Sequence, residues 1–291
     1  GDAYLSVHEA NLDDYAAATL APRSDDGGTT FATELTPLPE GSRASLDLPA
    51  ATPWRTIQVV DRPGELIESQ LVPLLADSLD ESALPTAGNG PDTDWIEPRK
   101  YVGIWWTMIA GQANWEYRAD ESFDSPTDAA GYVHGARTER MKRYMRFASE
   151  NGIDSVLVEG WNEGWDTYPG DGSGLKFGVD DSYPDFDVRE VTDFGASLPE
   201  PVEMTAHNET AGNIPNYEEA VLDGDAFAEY DSVGISSIKN GYVADSGLGI
   251  TGDGTDATHN HHNQLAVNHH RRVIREAAAN RQLLEIHEGI K

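Results

Sequence analysis

The chain has 291 residues, 38% of them hydrophobic, including 7 Trp, 11 Tyr and 7 Phe, which is enough apolar mass for a substantial core and excludes a disordered tail. Its 51 acidic and 20 basic residues give a formal net charge of -31, a surface that repels phosphate backbones, so nucleic acid is not an expected partner. No apolar run reaches the roughly 18 residues of a membrane-spanning helix, so no membrane is expected as a partner, and the absence of Cys removes disulfides, thiolate catalysis and thiolate metal sites together.

At roughly 150 residues per domain the length suggests two domains, although a single barrel of about 250 residues would also use most of it. Residues 1–97 are rich in Pro, Gly, Thr and Ser, with predicted strands at Tyr4–Val7, Arg55–Val60 and Ile67–Pro73 and little helical periodicity; this segment reads as a β-rich domain. From residue 98 to 291 the pattern alternates between strand and helix. Strands are predicted at Tyr101–Trp106, Ser155–Glu159, Val202–His207, Ser232–Lys239 and Leu283–His287. Helices are predicted between them: one carrying Met141, Tyr144, Met145 and Ala148 on one face and ending before Gly152, then Asp187–Gly195, Asn216–Tyr230 and Gln264–Asn280. Such alternation predicts parallel strands with helical crossovers, in a (β/α) barrel or a doubly wound sheet. The first residues enter directly into a strand pattern and Leu283–Lys291 reads as a core strand with its turn, so the chain is expected to be cut inside a domain at both ends.

Polar and aromatic residues follow the apolar run at the C-terminal end of each strand: Trp105 and Trp106, Glu159 with Trp161, His207 with Glu209, Lys239, and His287 with Glu288. In a barrel these ends converge on one mouth, where active sites are built. No GxGxxG follows the first predicted strand and no phosphate-loop motif is present, which favours the barrel over a nucleotide-binding sheet. Carboxylates with indoles and no phosphate-binding element form the inventory of a sugar site: aromatic faces suit pyranose rings, and paired carboxylates supply the acid and base of glycoside hydrolysis. Other barrel enzymes also use Glu and His; each Trp has a core position as its alternative, and Glu209 and Glu288 have helix caps or loops as theirs. The Asp-rich blocks Asp180–Asp187 and Asp253–Asp256 lack EF-hand spacing and read as solvated acidic surface. The His259, Asn260, His261, His262 cluster beside Asp253 and Asp256 reads as a solvated loop insertion in preference to a zinc site, because Gly252 and Gly254 argue against a helix that would align the ligands.

Nine stretches together resemble glycoside hydrolase family 97, in family order and over nearly the whole chain: His8–Leu12 with Asp14–Tyr15, Thr52–Arg55, Trp95–Ile96 with Lys100–Trp106, Val158–Asn162, Tyr183–Asp187, His207–Thr210, Gly241–Val243, Val267–His269 and His287–Glu288. The resemblance implies the end of an N-terminal β-sandwich over residues 1–97, followed by about strands one to five of a catalytic (β/α)8 TIM barrel over 98–291. It also implies an inverting, calcium-dependent α-glucosidase acting on α-linked gluco-oligosaccharides, with Glu209 and Glu288 matching the carboxylates that serve as general base. Gly241 falls where the family's retaining branch has an Asp nucleophile, which points to inversion across a carboxylate gap of roughly 6.5 to 9.5 Å. His207, Lys239 and His287 match sugar-contacting positions; Trp105, Trp106 and Glu159 join them as expected substrate contacts. Glu9 and Glu288 match ligands of Ca2+, a hard cation that prefers carboxylate oxygens. The family's general acid and a further calcium carboxylate would lie about two dozen residues beyond Glu288, and the chain stops three residues after it; by itself it is expected to lack useful glycosidase activity, with open strand edges that favour association. The alternatives are an α-galactosidase of the same family and a non-catalytic carbohydrate-binding module. The resemblance favours an extracellular or cell-envelope location, and five Lys against fifteen Arg amid abundant Asp and Glu resembles proteins of salt-loving organisms, where ionic strength screens self-repulsion.

Overall fold

A computed structural model of the chain describes residues 3–28, 30–38, 40–78, 80–115, 117, 134–167, 170, 172–243 and 262–290. Two units are distinguished, Gly1–Asp80 with Ser246–Arg271 and Gly289–Lys291, and Glu81–Asp245 with Arg272–Glu288. The Asp253–Asp256 block and His259–His261 lie outside the described residues.

In the first unit, β-branched and aromatic residues form four strands: β1 (Tyr4–Ala10), β2 (Ala18–Pro22), β3 (Phe31–Leu35) and β4 (Trp54–Val60). Strands β1 and β4 pair antiparallel, with Val7 opposite Ile57 and Glu9 opposite Arg55; β2 and β3 form a second antiparallel pair. The predicted strand at Ile67–Pro73 is instead the end of one short helix and the start of another, α1 (Gly64–Ile67) and α2 (Leu71–Leu75). Pro63 at the N-cap of α1 already holds helical dihedrals, and Pro73 inside α2 has no N–H to give to a sheet. A polar clamp ties distant segments of this unit together: the Gln264 side-chain amide donates to the carbonyls of Asp14 (2.8 Å) and Ser45 (2.9 Å) and its oxygen accepts from Ser45 N (2.7 Å).

The second unit is an α/β fold. After the short pair β5 (Thr86–Ala87) and β6 (Gly90–Pro91) come β7 (Tyr101–Gly103), α3 (Trp105–Ile109), α4 (Thr138–Glu150), β8 (Ser155–Val158), α5 (Val188–Ala196) and β9 (Glu203–Glu209). Then follow α6 (Ile214–Glu218), α7 (Ala226–Ser232), β10 (Ser237–Gly241), α8 (Gln264–Ala279), of which only the part from Arg272 onward belongs to this unit, and β11 (Leu283–Ile286). The sheet order is β11-β10-β9-β8-β7, every pair is parallel, and strand order follows chain order, as helical crossovers dictate.

Three predicted boundaries shift for local reasons. The strand expected over Tyr101–Trp106 ends at Gly103 and α3 begins at Trp105. The strand expected from Ser232 begins only at Ser237, because α7 runs to Ser232 and Gly234, at φ 79°, turns the chain out of the helix. The helix expected over Asn216–Tyr230 breaks at Gly224, where a side chain would overlap the Ala220 carbonyl; α6 runs into a π turn at Glu219–Asp223 before the break. The Asp180–Asp187 block is not simply solvated surface. Asp181 accepts from Gly178 N (2.9 Å), Asp187 caps α5 by accepting from Glu190 N (2.9 Å), and Asp185 is buried against His134.

Period-two alternation divides the sheet into two chemically distinct faces. One face, with Val156, Val158, Met204, Ala206 and Ile238, packs into the core with Met141 and Met145 of α4, Val188 and Val191 of α5, and Tyr217 and Tyr230. The other carries Ser155, Thr205 and Ser237 as a row of hydrogen-bonded hydroxyls below the polar residues described next. On this face the Tyr101 hydroxyl, from one outer strand, donates to Glu285 Oε2 on the other at 2.6 Å. Four inter-strand intervals in a flat sheet would separate those strands by about 19 Å, beyond the reach of the two side chains, so the sheet is curved with this face inside.

Helix α5 approaches β9 so closely that a Cβ at Gly195 would overlap Val202 O and lie 3.1 Å from Met145 Sδ. Alanine improves helix propensity by about 1 kcal/mol over glycine, but overpacking against backbone costs about 1–3 kcal/mol or more. Gly195→Ala is therefore expected to lower the urea midpoint; an unchanged or higher midpoint would show that the approach is looser than described.

Candidate functional site

The concave face of the sheet opens at the C-terminal ends of the strands into a cleft of about 380 Å³. Its lining follows the alternation: Tyr101 and Gly103 from β7, Leu157 from β8 and Glu159 just after it, His207 and Glu209 from β9, Lys239 from β10 and His287 after β11, with Trp105, Trp106 and Val243 from the segments beyond the strands. Lys239 stands in register with His207 on one side and Glu285 on the other, which places one cation in a row of acids and imidazole.

At the centre, His207 Nδ1 lies 3.0 Å from Glu159 Oε1 and His207 Nε2 lies 3.7 Å from Glu209 Oε2. Glu159 is 1%, His207 4% and Glu209 2% exposed. Neither ring nitrogen of His207 is aligned for a hydrogen bond, and Glu159 Oε2 makes none among the described residues. Glu209 is anchored through Oε1, which accepts from Ala211 N (2.9 Å) and Val243 N (3.0 Å). Its Oε2 fills the space over Gly241: a Cβ there would overlap Glu209 Oε2 and lie 3.1 Å from His207 Nε2. A side chain at position 241 and the present Glu209 conformation exclude each other.

The expected residues divide by position. Trp105, Trp106, Glu159, His207, Glu209, Lys239 and His287 all reach the cleft; Trp106 is 74% exposed at its rim. Glu288, one residue out of phase with His287, is not in the lining: its Oε2 accepts from Tyr242 N (2.8 Å) and its Oε1 pairs with His287 Nδ1 (2.5 Å). Glu9 lies in the first unit, where Arg55 is 2.9 Å from its Oε1 and Ala18 N donates to its Oε2 at 2.6 Å. Trp161, expected at the mouth, and Trp165 are core residues instead. Trp161 packs against Phe186 and Tyr230 and donates to the His207 carbonyl, and Trp165 meets the His207 ring edge-on at 5.5 Å between centroids. Sequence reading missed Tyr101 and Leu157, although each precedes a recognised lining position by two residues on its strand, or stands two before a glycine of the same face.

Among the described residues no group of three or more His, Asp or Glu side chains is arranged to hold a metal ion. Glu9 and Glu288 are each engaged by protein donors, so the described side chains do not form a complete calcium site.

Burial is the main reason the Glu209 carboxyl is pushed up to about 8; the Ala211 N–H pulls it back, Glu288 raises it further, and the Val243 and Thr210 N–H groups oppose the rise. An unfolded Glu loses its proton near 4.5, so between that pH and about 8 the folded chain keeps a proton that the unfolded chain has lost. The stability contributed by the raised value is full below about pH 4.5 and is lost as pH rises through about 8. Glu209→Gln cannot ionise. Its melting temperature relative to the unchanged chain is expected to climb between about pH 5 and pH 8, by the equivalent of a few kcal/mol; an offset that stays constant across this range would contradict the burial of the charge.

Residues 105–291 match the family model Glycoside hydrolase 97, and residues 1–78 match Glycosyl-hydrolase 97 N-terminal. Structures of a glycoside hydrolase family 97 enzyme from Pseudoalteromonas sp. strain K8, one in complex with acarbose and one with panose, superpose with a TM-score of 0.78 at 33% identity over 99% of this chain and 39% of theirs. A retaining alpha-galactosidase of Bacteroides thetaiotaomicron is 27% identical over 195 residues, 67% of this chain and 24% of that protein. The chain thus spans well under half the length of these relatives. With a family model covering more than half of its length, from the first cleft-lining indole to the last residue, the chain belongs to glycoside hydrolase family 97.

Proposed function

We propose that this chain carries the sugar-binding face of a glycoside hydrolase that cleaves α-linked gluco-oligosaccharides with inversion at the anomeric carbon. The observation that carries the reading is the packing at Gly241. Retention through a covalent intermediate needs a carboxylate nucleophile close to the anomeric carbon; position 241 offers none, and Glu209 occupies the space one would need. An inverting site instead needs a carboxylate that takes a proton from water, and Glu209 reaches the cleft held by two backbone N–H groups; it acts as this base in its ionised form, so the activity is expected to rise with pH towards about 8. Glu288 is not among the cleft-lining residues and supports the Tyr242 backbone; its proposed share in activating water is made beside Glu209, whose carboxyl it raises.

The other side chains bind and orient. Glu159 Oε2 and His207 Nε2 are buried with unused hydrogen-bonding capacity, which sugar hydroxyls would satisfy. Lys239 and His287 add donors, and Trp105, Trp106 and Tyr101 offer aromatic faces to pyranose rings. The complexes of the Pseudoalteromonas enzyme with acarbose and panose support an oligosaccharide as the ligand. Calcium belongs to the proposal only through the single carboxylates Glu9 and Glu288, and no step is assigned to it. The Bacteroides relative is the reason to weigh α-galactosides and retention as the second reading.

A glycosyl fluoride tests this without a general acid, because fluoride departs with the bonding pair unaided: water oxygen bonds to the anomeric carbon and its proton passes to Glu209. The chain is expected to convert α-D-glucosyl fluoride to β-glucose as the first anomer seen by NMR, with Glu209→Gln slower by about 10²–10⁴-fold. First-formed α-anomer, preference for α-D-galactosyl fluoride, or acarbose binding with no fluoride release would each overturn the reading, the last in favour of a binding module.

A further inference from the structure

Glu159 is buried in the cleft, yet among the described residues its Oε2 makes no hydrogen bond, and its Oε1 lies 3.0 Å from a His207 nitrogen that is not aligned for one. Its orientation therefore depends on the backbone that carries it. The next residue, Gly160, has φ 78° and sits against Trp115 Cδ1, 3.0 Å from where a Cβ would be, a conformation and a space that only glycine fits. The Gly160 carbonyl accepts a hydrogen bond from His134 Nε2 at 3.0 Å. On the far side of the ring, His134 Nδ1 faces both oxygens of Asp185 at 3.0 and 2.9 Å. Asp185 is held in turn through its carbonyl, which accepts from Thr138 N (3.1 Å) and Thr138 Oγ1 (3.2 Å) at the start of α4, and Tyr183 meets the imidazole edge-on.

The side chains of His134 and Asp185 are 1% and 2% exposed. Burying such a pair costs desolvation that apolar side chains of the same volume would avoid, so the pair is a poor device for stability alone. What it does is end a chain of directed bonds on the peptide that follows Glu159. We infer that His134 and Asp185 are positioning residues that lock the Glu159–Gly160 peptide and so aim the Glu159 carboxylate at the cleft and at His207. The functional consequence rests on the glycoside reading of the cleft; the geometric one does not. Partners of this outer kind typically contribute about 10–100-fold when they orient an active group.

The two ring nitrogens can be separated by substitution. In an Asp185→Asn background, which removes the buried charge, His134→Gln places an amide nitrogen at the Nε2 position and keeps the bond to Gly160, whereas His134→Asn places it near Nδ1 and loses that bond. Each double variant of the full chain is assayed by calorimetry with acarbose, by thermal melting, and by crystal structure for the position of the Glu159 carboxylate. The Gln variant is expected to bind acarbose within about threefold of the unchanged chain. The Asn variant is expected to bind about 10–100-fold more weakly, with Glu159 displaced, at a similar melting temperature. Equal affinities in the two variants, or an unmoved Glu159 in the Asn variant, would overturn the inference. If the unchanged chain does not bind acarbose, the glycoside reading fails, and the Glu159 positions in the two structures still decide the role of His134.

Discussion

The cleft is organised by a mismatch between burial and satisfaction. Glu159, His207 and Glu209 are each at most 4% exposed, and a buried polar group without a partner costs on the order of 1–3 kcal/mol. Glu209 escapes most of that cost by accepting from two backbone N–H groups, at the expense of a carboxyl raised by desolvation. Glu159 and His207 do not escape it: Glu159 Oε1 and His207 Nδ1 lie 3.0 Å apart, and Glu159 Oε2 and His207 Nε2 make no hydrogen bond among the described residues. A fold retains such groups where a ligand completes them, which is why buried, incompletely paired side chains at the ends of parallel strands point to a binding site.

Everything else in the second unit serves to bring those atoms together. Parallel pairing aligns the C-terminal ends of β8, β9 and β10, and alternation sends Glu159, His207, Glu209 and Lys239 to the same side while Val158, Ala206 and Ile238 face the helices. Curvature, visible in the Tyr101–Glu285 hydrogen bond across the sheet, turns a flat row into a concave surface. A single glycine then decides what the surface holds: with no side chain at Gly241, Glu209 can occupy the centre. The loop after β8 is pinned from several directions, by His134 on Gly160, by Tyr183 N on the Trp161 carbonyl and by the Trp161 indole on His207, so the residues around Glu159 have little freedom to relax.

Much of this was legible in the sequence because it is periodic. His207 and Glu209 are two apart on a strand, so their common face follows from the pleat, and the recurrence of polar residues after each apolar run revealed where the strands end. Less was legible where long-range contacts decide. Trp161 looked like a sugar platform because it follows Glu159, but the residues packed against it, Phe186 from the loop before α5 and Tyr230 from α7, are distant in sequence. Asp185 looked like solvated acid because its partner His134 is 51 residues away. Glu288 was paired with His287 as a site residue, but both stand in the turn after β11, where Glu288 accepts from Tyr242 N and only His287 lines the cleft. The segment Ile67–Pro73 is apolar enough for a strand; its flanking and internal prolines carry the information that it is not one.

The most direct test is a crystal structure of the unchanged chain with acarbose. The account predicts ligand hydroxyls within hydrogen-bond distance of Glu159 Oε2 and His207 Nε2, with Glu209 still seated over Gly241. Acarbose bound elsewhere, with those two atoms satisfied by protein groups, would contradict it.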